Sequence, residues 1–262
     1  MTIQHKIVGT ANQMAVIQLE PGQTVYGDRG TFRWKTANVT LETRLTQPAN
    51  NQAGGPAAAG GFLAKAMDVG KRVLAGEGMA FQYYKADSGS GLVTFAGTIP
   101  GELRAIELDG KVGWFAERGA MIAAESTINF DIAFTGLRMG LRGHEGFVLQ
   151  KFTGAGTLFV AAAGNFIELN PAKYGGTIQA ETGNVVAFSD TVQYTIERVG
   201  GLNAQTAMTA MFGGEGINLA TFRGEGSVIL QSTSIHSLGE ALRRVIDAPG
   251  NDRKGPLAGI GL

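Results

Sequence analysis

The chain has 262 residues and no cysteine, and its 22 basic residues are matched by 22 acidic ones, so its formal net charge is zero. The absence of cysteine excludes disulfides, thiolate metal ligands and cysteine nucleophiles. The balanced charge argues against a protein that holds RNA mainly through its phosphates, because such binding needs clustered positive charge. Glycine is frequent, at 40 residues, which predicts many tight turns between short strands.

The sequence predicts no membrane span. No apolar stretch approaches the roughly 20 residues that a spanning helix needs. The first residues also lack the apolar core of a secretory signal. We therefore expect a cytoplasmic protein.

A unit of apolar residues around an acidic turn occurs three times along the chain. In each copy an apolar pair is followed by an acidic residue two positions before a glycine, and then by a strictly alternating strand. Strict alternation predicts strands with one buried face. The matching positions are Ile17, Leu19, Asp28 and Val39, then Ile106, Leu108, Glu117 and Ile128, then Ile167, Leu169, Glu181 and Val192.

A second unit also occurs three times and contains two apolar alternating stretches joined by a Gly-x-Gly pair. This pattern predicts a β-hairpin in each copy, with the glycines at the turn. The pairs are Gly89/Gly91, Gly154/Gly156 and Gly224/Gly226. Together the two units place repeats at about 14–97, 103–163 and 166–232.

The links between the repeats, 98–102 and 164–165, are too short to act as flexible linkers. We therefore predict an all-β fold, with one compact body over residues 1–236. In this body three units of sandwich or barrel-like packing take a pseudo-threefold arrangement.

An insert at 50–75 interrupts the first repeat. Its first part is low-complexity, and the apolar residues of 62–74 recur at helical spacing with basic residues between them. The first interpretation is a short helix that covers a sheet edge. The alternative is a helix that binds a partner or touches a membrane surface from outside.

A C-terminal helix is predicted over 237–248, followed by a loose tail at 249–262. Ser237 and Glu240 match a capping box, and Pro249 ends the pattern. The helix either docks on its own β body or packs across a subunit boundary. Its apolar stripe consists of Leu238, Ala241, Leu242, Val245 and Ile246.

No motif in the sequence predicts a catalytic, cofactor-binding or metal-binding residue. The glycine-rich loop at 213–216 lacks the Lys-Ser/Thr of a phosphate-binding loop. The acidic turn residues Asp28, Glu117 and Glu181 would converge on a cation only if the repeats surround an axis, and solvated turns are the simpler interpretation. Trp34 and Trp114 lie in related strand regions and are predicted to pack in the core.

Three stretches together resemble one known family. They are KRVLAGE at 71–77, AGTIPGEL at 96–103 and MFGGEG at 211–216. The chain is similar there to the altered-inheritance-of-mitochondria (AIM) family of β proteins of unknown function. The resemblance implies a triplicated double-stranded β-helix of the type seen in the tryptophan RNA-binding attenuation protein (TRAP). It also implies assembly into trimers or larger rings, and mitochondrial relatives linked to inner-membrane organisation.

These observations predict a non-enzymatic homo-oligomeric scaffold or interaction protein without a cofactor. Its protein partner is not predicted. One alternative is a module that binds RNA or a small ligand between the repeats, although the neutral charge makes RNA unlikely. Another alternative is a metal-binding β-barrel enzyme, which would need histidines and carboxylates gathered by the fold.

Overall fold

A computed structural model describes residues 3–44, 81–134, 148–198 and 218–246. These residues form strands, two short 3₁₀ turns at Pro171–Tyr174 and Thr182–Asn184, and one helix, α1, at Ile235–Ile246. The strands are Gln4–Val8 (β1), Met14–Leu19 (β2), Thr24–Gly27 (β3), Phe32–Lys35 (β4), Val39–Arg44 (β5), Phe81–Ala86 (β6), Gly91–Ala96 (β7), Leu103–Asp109 (β8), Trp114–Glu117 (β9), Met121–Glu125 (β10), Asn129–Phe134 (β11), Val148–Thr153 (β12), Ala155–Ala161 (β13), Phe166–Leu169 (β14), Thr177–Glu181 (β15), Val185–Ser189 (β16), Gln193–Arg198 (β17), Asn218–Arg223 (β18) and Val228–Gln231 (β19).

The predicted all-β character is confirmed, since strands dominate the described residues. Alternation along the chain sets the buried face, as in β2, where Ala15, Ile17 and Leu19 are buried and the residues between them are partly exposed. The insert at 50–75 with its helix at 62–74, the loop at 213–216 and the tail at 249–262 lie outside the described residues.

Each predicted repeat contains six of the described strands, and the six pair in the same way each time. We call 14–97, 103–163 and 166–232 the first, second and third segments. The first and third strands of a segment flank its sixth strand, and the second and fourth flank its fifth. The pairs are β2·β7, β4·β7, β3·β6 and β5·β6, then β8·β13, β10·β13, β9·β12 and β11·β12, then β14·β19, β16·β19, β15·β18 and β17·β18, all antiparallel.

The predicted β-hairpins at the Gly-x-Gly pairs are wrong. The strands on either side of each pair, β6 and β7, β12 and β13, and β18 and β19, lie in different sheets and do not pair with each other. The glycines let the chain turn a corner between sheets. Gly154 and Gly156 have φ of 107° and 150°, a region that side chains with a Cβ rarely adopt.

Sheets are shared between consecutive segments. β3 of the first segment pairs with β10 of the second, and β9 of the second pairs with β16 of the third. These contacts create two six-stranded sheets, β5-β6-β3-β10-β13-β8 and β11-β12-β9-β16-β19-β14. The remaining strands form a four-stranded sheet, β1-β2-β7-β4, and a three-stranded sheet, β15-β18-β17.

The hydrophobic core follows this sharing. The described residues form three apolar clusters, and the largest combines residues of all three segments, among them Tyr26, Phe152 and Ile229. The segments therefore bury parts of one another and do not behave as separate beads.

The links between segments touch through a close backbone contact. Gly101 forms a parallel bridge with Gly164, whose N–H donates to the Pro100 carbonyl at 3.0 Å. A Cβ at Gly101 would fall on the Ala162 carbonyl oxygen and lie 2.7 Å from the Gly164 nitrogen. Only glycine fits this contact without moving the backbone.

We predict that Gly101→Ala lowers the free energy of unfolding by about 1–3 kcal/mol, because the new methyl group pushes the two links apart. The matched control is Gly239→Ala in α1, where a Cβ meets no atom within 4 Å and alanine favours the helix. Urea unfolding followed by circular dichroism measures both. Equal stability of Gly101→Ala and the unchanged protein would show that the contact is not tight.

Candidate functional site

The candidate site consists of two strand edges at which the sharing of sheets between segments stops. β15 is the counterpart, in the third segment, of β3 and β9. β4 is the counterpart, in the first segment, of β10 and β16. Within the part of the chain that the structure describes, no strand pairs with the outer side of β4 or of β15. We call these two sides the open edges.

A bulge fixes the correspondence of β4 with β10 and β16. Where each strand pairs with the sixth strand of its segment, the register shifts after the first residue, between Phe32 and Trp34, between Met121 and Ala123, and between Val185 and Ala187. Trp34 therefore occupies the position held by Ala123 and Ala187. A bulge at the same place bends all three strands in the same way.

Two large apolar side chains, one on β4 and one on β5, are exposed. Trp34 is 43% exposed, whereas Ala123 and Ala187 are fully buried. Leu41 on β5 is 42% exposed, whereas Phe130, its counterpart on β11, is 3% exposed. These three counterparts lie where a neighbouring segment covers them, whereas no described segment pairs with the outer side of β4 beside Trp34.

The prediction that Trp34 packs in the core is wrong, because no described segment covers its side chain. Trp114 is partly buried and packs against the largest core cluster. The two tryptophans are also not counterparts, because Trp34 is in the third strand of its segment and Trp114 in the second strand of its own.

Arg33 places a fixed positive charge next to the edge of β4. Its guanidinium donates to the carbonyls of Gly97 at 2.6 Å, Gly30 at 2.8 Å and Ala96 at 3.3 Å. With a fourth bond to the Phe32 carbonyl at 3.2 Å, these hydrogen bonds hold the exposed side chain in one orientation. With Lys35, it makes β4 a basic strand.

Charges of opposite sign meet where the first and second segments join. Burial raises the pKa of the Asp28 carboxyl, and a hydrogen bond from the Arg29 N–H at 2.7 Å and the positive charge of Arg118 both offset this rise. Asp28 follows β3 and Arg118 follows β9. An acidic residue after the second strand of one segment therefore interacts with a basic residue at the turn of the next.

The corresponding residues in the next segments differ in charge. Burial raises the pKa of Glu117 from 4.5 to about 8, and the charge of Arg118 counters only part of this rise. The third segment has Thr182 at the position of Arg118, so it offers Glu117 no cation. Glu181, which ends β15 at an open edge, is exposed.

The hypothesis that Asp28, Glu117 and Glu181 converge on a cation has no support in the structure. No group of three or more histidine, aspartate or glutamate side chains that could hold a metal ion occurs among residues 3–44, 81–134, 148–198 and 218–246. The first two residues lie near Arg118, whereas Glu181 lies at the open edge of a different sheet.

Helix α1 starts two residues before the predicted position, because Ser234 caps it. The Ser234 Oγ accepts from the Ser237 N–H at 3.0 Å, and the Ser237 Oγ accepts from the Ser234 N–H at 3.1 Å. The reciprocal cap is thus formed by Ser234 and Ser237, and the side chain of Glu240 lies outside the described part of the chain.

The apolar stripe of α1 is exposed to solvent. Ile235 and Leu242 are more than half exposed, and Leu238 is exposed as well. The first alternative, a helix docked by this stripe on its own β body, is therefore not seen within the described residues. No described helix is both long and apolar enough to span a membrane.

Two clefts on the described surface are open and are lined by both polar and apolar groups. The first has a volume of about 390 Å³ and is lined by Glu168, Asn170, Lys173 and Ser227 of the third segment, among others. Glu168 is already bonded to the Arg104 guanidinium at 2.6 Å and to the Ser227 hydroxyl. This cleft lies within one segment and not between repeats.

Glu117 gives the fold a testable dependence on pH. The folded protein keeps the proton of Glu117 up to about pH 8, whereas the unfolded chain releases it near 4.5. Over this interval the unfolded state binds fewer protons, so the free energy of unfolding falls as pH rises, by at most about 1.4 kcal/mol per pH unit. We predict that Glu117→Gln removes this contribution and is more stable than the unchanged protein at pH 8.

Glu102→Gln is the matched variant of opposite sign. Hydrogen bonds from the Phe166 N–H and the Asn165 amide lower the pKa of Glu102. This carboxylate therefore stabilises the fold above its unfolded pKa and loses that effect in acid, so Glu102→Gln is expected to be less stable at pH 7. Thermal unfolding between pH 3 and 8.5 measures both variants. A Glu117→Gln profile that runs parallel to that of the unchanged protein between pH 5 and 8.5 would contradict the assignment of Glu117.

Comparison with known proteins agrees with the fold and shows the family. The chain is 29% identical over 236 residues to an uncharacterised protein of Streptococcus pyogenes serotype M6, covering 90% of this chain and 87% of that protein. The crystal structure of protein SPYM3_0169 from Streptococcus pyogenes superposes with a TM-score of 0.69 at 25% identity, over 93% of this chain and 99% of that one. The model of the family described as mitochondrial biogenesis AIM24 matches residues 5–233, and this chain therefore belongs to the AIM24 family.

Proposed function

We propose that the protein is a non-enzymatic scaffold that acts by assembling copies of itself into a homo-oligomer, either a trimer or a larger ring. The observation that carries this proposal is the pair of open edges on β4 and β15. An unpaired strand edge presents unsatisfied N–H and C=O groups, and proteins usually cover it. Symmetric association with further copies covers such edges without another partner.

The proposal includes an internal triplication. The same six-strand pairing in each segment supports three copies of one unit, in a pseudo-threefold arrangement of the TRAP type implied by the family resemblance. The names of the relatives point to no reaction and no substrate. The cytoplasmic location and the absence of enzymatic activity remain predictions.

Helix α1 supports the same function. Its apolar stripe is exposed on a single chain, which favours the alternative in which the helix packs across a subunit boundary. No specific observation in the described structure favours binding of RNA or of a small ligand between the repeats.

We predict that the purified protein at micromolar concentration has a molar mass of at least three times the 27.4 kDa of one chain. Size-exclusion chromatography with light scattering measures it. Trp34→Ala should shift the distribution towards smaller species, because it removes apolar surface next to an open edge, whereas Tyr174→Ala, at an exposed aromatic residue of the third segment, should not. A 27.4 kDa monomer at this concentration would contradict the proposed function.

A further inference from the structure

The structure identifies which surfaces join two copies and in which register. We infer that β15 of one copy pairs antiparallel with the open edge of β4 in the next copy, with Trp34 opposite Ala180, Lys35 opposite Gln179 and Thr36 opposite Ile178. This inference rests on the proposed function and specifies its interface. The partner is a second copy of this chain, joined head to tail.

The register follows from two strand pairs that the chain already contains between consecutive segments. We call β3·β10 the first joint and β9·β16 the second joint. In the first joint, Ala123 lies opposite Gly27 and Ala124 opposite Tyr26. In the second joint, Ala187 lies opposite Ala116 and Phe188 opposite Phe115. The bulge places Trp34 at the position of Ala123 and Ala187, as described above.

The opposite side of the register comes from the fifth strand of each segment. Gly27 pairs with Gln82 on β6, Ala116 with Gln150 on β12, and Ala180 with Ala220 on β18; each of these partners lies two residues before the aromatic residue Tyr84, Phe152 or Phe222 of its strand. Ala180 is thus the counterpart of Gly27 and Ala116. A third joint of the same form therefore places Trp34 opposite Ala180.

The other free edges in the described sheets do not require a partner in this way. The fourth strands β5, β11 and β17 lie at an outer edge in all three segments. The first strands β8 and β14 are also outer strands, and β1 covers β2. Among the described strands, only β4 and β15 lie at an edge while their counterparts in the other segments lie inside a sheet. One further joint, between a β15 and a β4, would complete the pattern.

Burial supports the same joint. In the first joint, Phe130 of the second segment is covered by Tyr26 and Phe81 of the first, with ring centroids at 6.4 Å and 4.9 Å. In the second joint, Tyr194 of the third segment contacts Phe115 at 5.5 Å. Leu41 is the counterpart of Phe130 and Tyr194, and it is exposed because no preceding segment lies against it. β15 and β18 of another copy would provide that cover.

Charge selects a head-to-tail joint over a joint between two like edges. The Asp28 carboxyl and the Arg118 guanidinium interact across the first joint, and their counterparts at the missing joint are Glu181 and Arg29. β4 carries Arg33 and Lys35, so two β4 edges would repel, whereas Glu181 at the end of β15 attracts the basic edge. A heterologous joint of this kind generates a ring if it closes and a filament if it does not.

Cysteine cross-linking tests the register, since the chain has no native cysteine. Lys35→Cys and Gln179→Cys are made as single variants and co-expressed. Residues directly opposite in an antiparallel pair are within disulfide range. We expect oxidation to link the two variants into a dimer of two chains, and neither variant alone to form one.

The matched control is Lys35→Cys co-expressed with Gln193→Cys, because Gln193 is on β17 at the other edge of the same three-stranded sheet. A dimer with this control, or from Lys35→Cys alone, would overturn the inference. An oligomer by light scattering that gives no cross-link with Gln179→Cys would also overturn it while leaving the proposed function intact. A monomer by light scattering would contradict both.

Charge reversal provides an independent test. Glu181→Arg should weaken association by roughly two- to fivefold, the range expected for one exposed ion pair. The double variant Arg29→Glu/Glu181→Arg should recover most of this loss. Glu225→Arg makes the same change of charge at an exposed turn between β18 and β19 and should leave association unchanged. If the double variant associates more weakly than Glu181→Arg alone, the two residues do not meet.

Discussion

The structure depends on the need to pair the backbone N–H and C=O groups of strands. Each segment has too few strands to pair all of these groups within itself. Each segment divides its six strands into two sets of three, and each set has one strand that must find a partner outside the segment. Within the chain, β3 pairs with β10 and β9 pairs with β16. Backbone N–H and C=O groups on an exposed edge stay available for pairing, so the same need exists at β4 and β15.

This sharing of sheets also explains the cores. Each six-stranded sheet contains strands of two consecutive segments, so its apolar side chains pack with residues of both. The largest apolar cluster therefore contains residues of all three segments. The corner glycines make the arrangement possible, because they let the chain leave one sheet directly for the other. The link glycine Gly101 then holds the link before the second segment against the link after it.

The periodic pattern was sufficient to predict the all-β class and the segments in which six strands recur. It failed at the Gly-x-Gly pairs, because alternation shows that a strand has one buried face but not which strand lies beside it. Trp34 shows a second limit. Its apolar character predicted burial, but whether a neighbouring segment covers it depends on its position in the series, which no local pattern contains. The early start of α1 depended on Ser234, whose reciprocal bonds with Ser237 compete with an equally plausible pattern one turn later.

Few elements of the candidate site could have been found from sequence. The acidic turns were visible as a repeated pattern, yet their meaning changes from copy to copy, because Arg118 accompanies Asp28 while Thr182 leaves Glu117 without a cation. The open edges became visible only when the strand order was known, since an edge is a property of pairing and not of composition.

Hydrogen exchange of the assembled protein tests the central claim most directly. The backbone amides of 34–36 and 178–180 that point away from β7 and β18 should exchange slowly in the assembled protein and fast after dilution to the dissociated state. The outer amides of β5 and β17, which no joint covers, should exchange fast in both conditions. Fast exchange at 34–36 and 178–180 in the assembled protein would contradict the claim that these two edges pair.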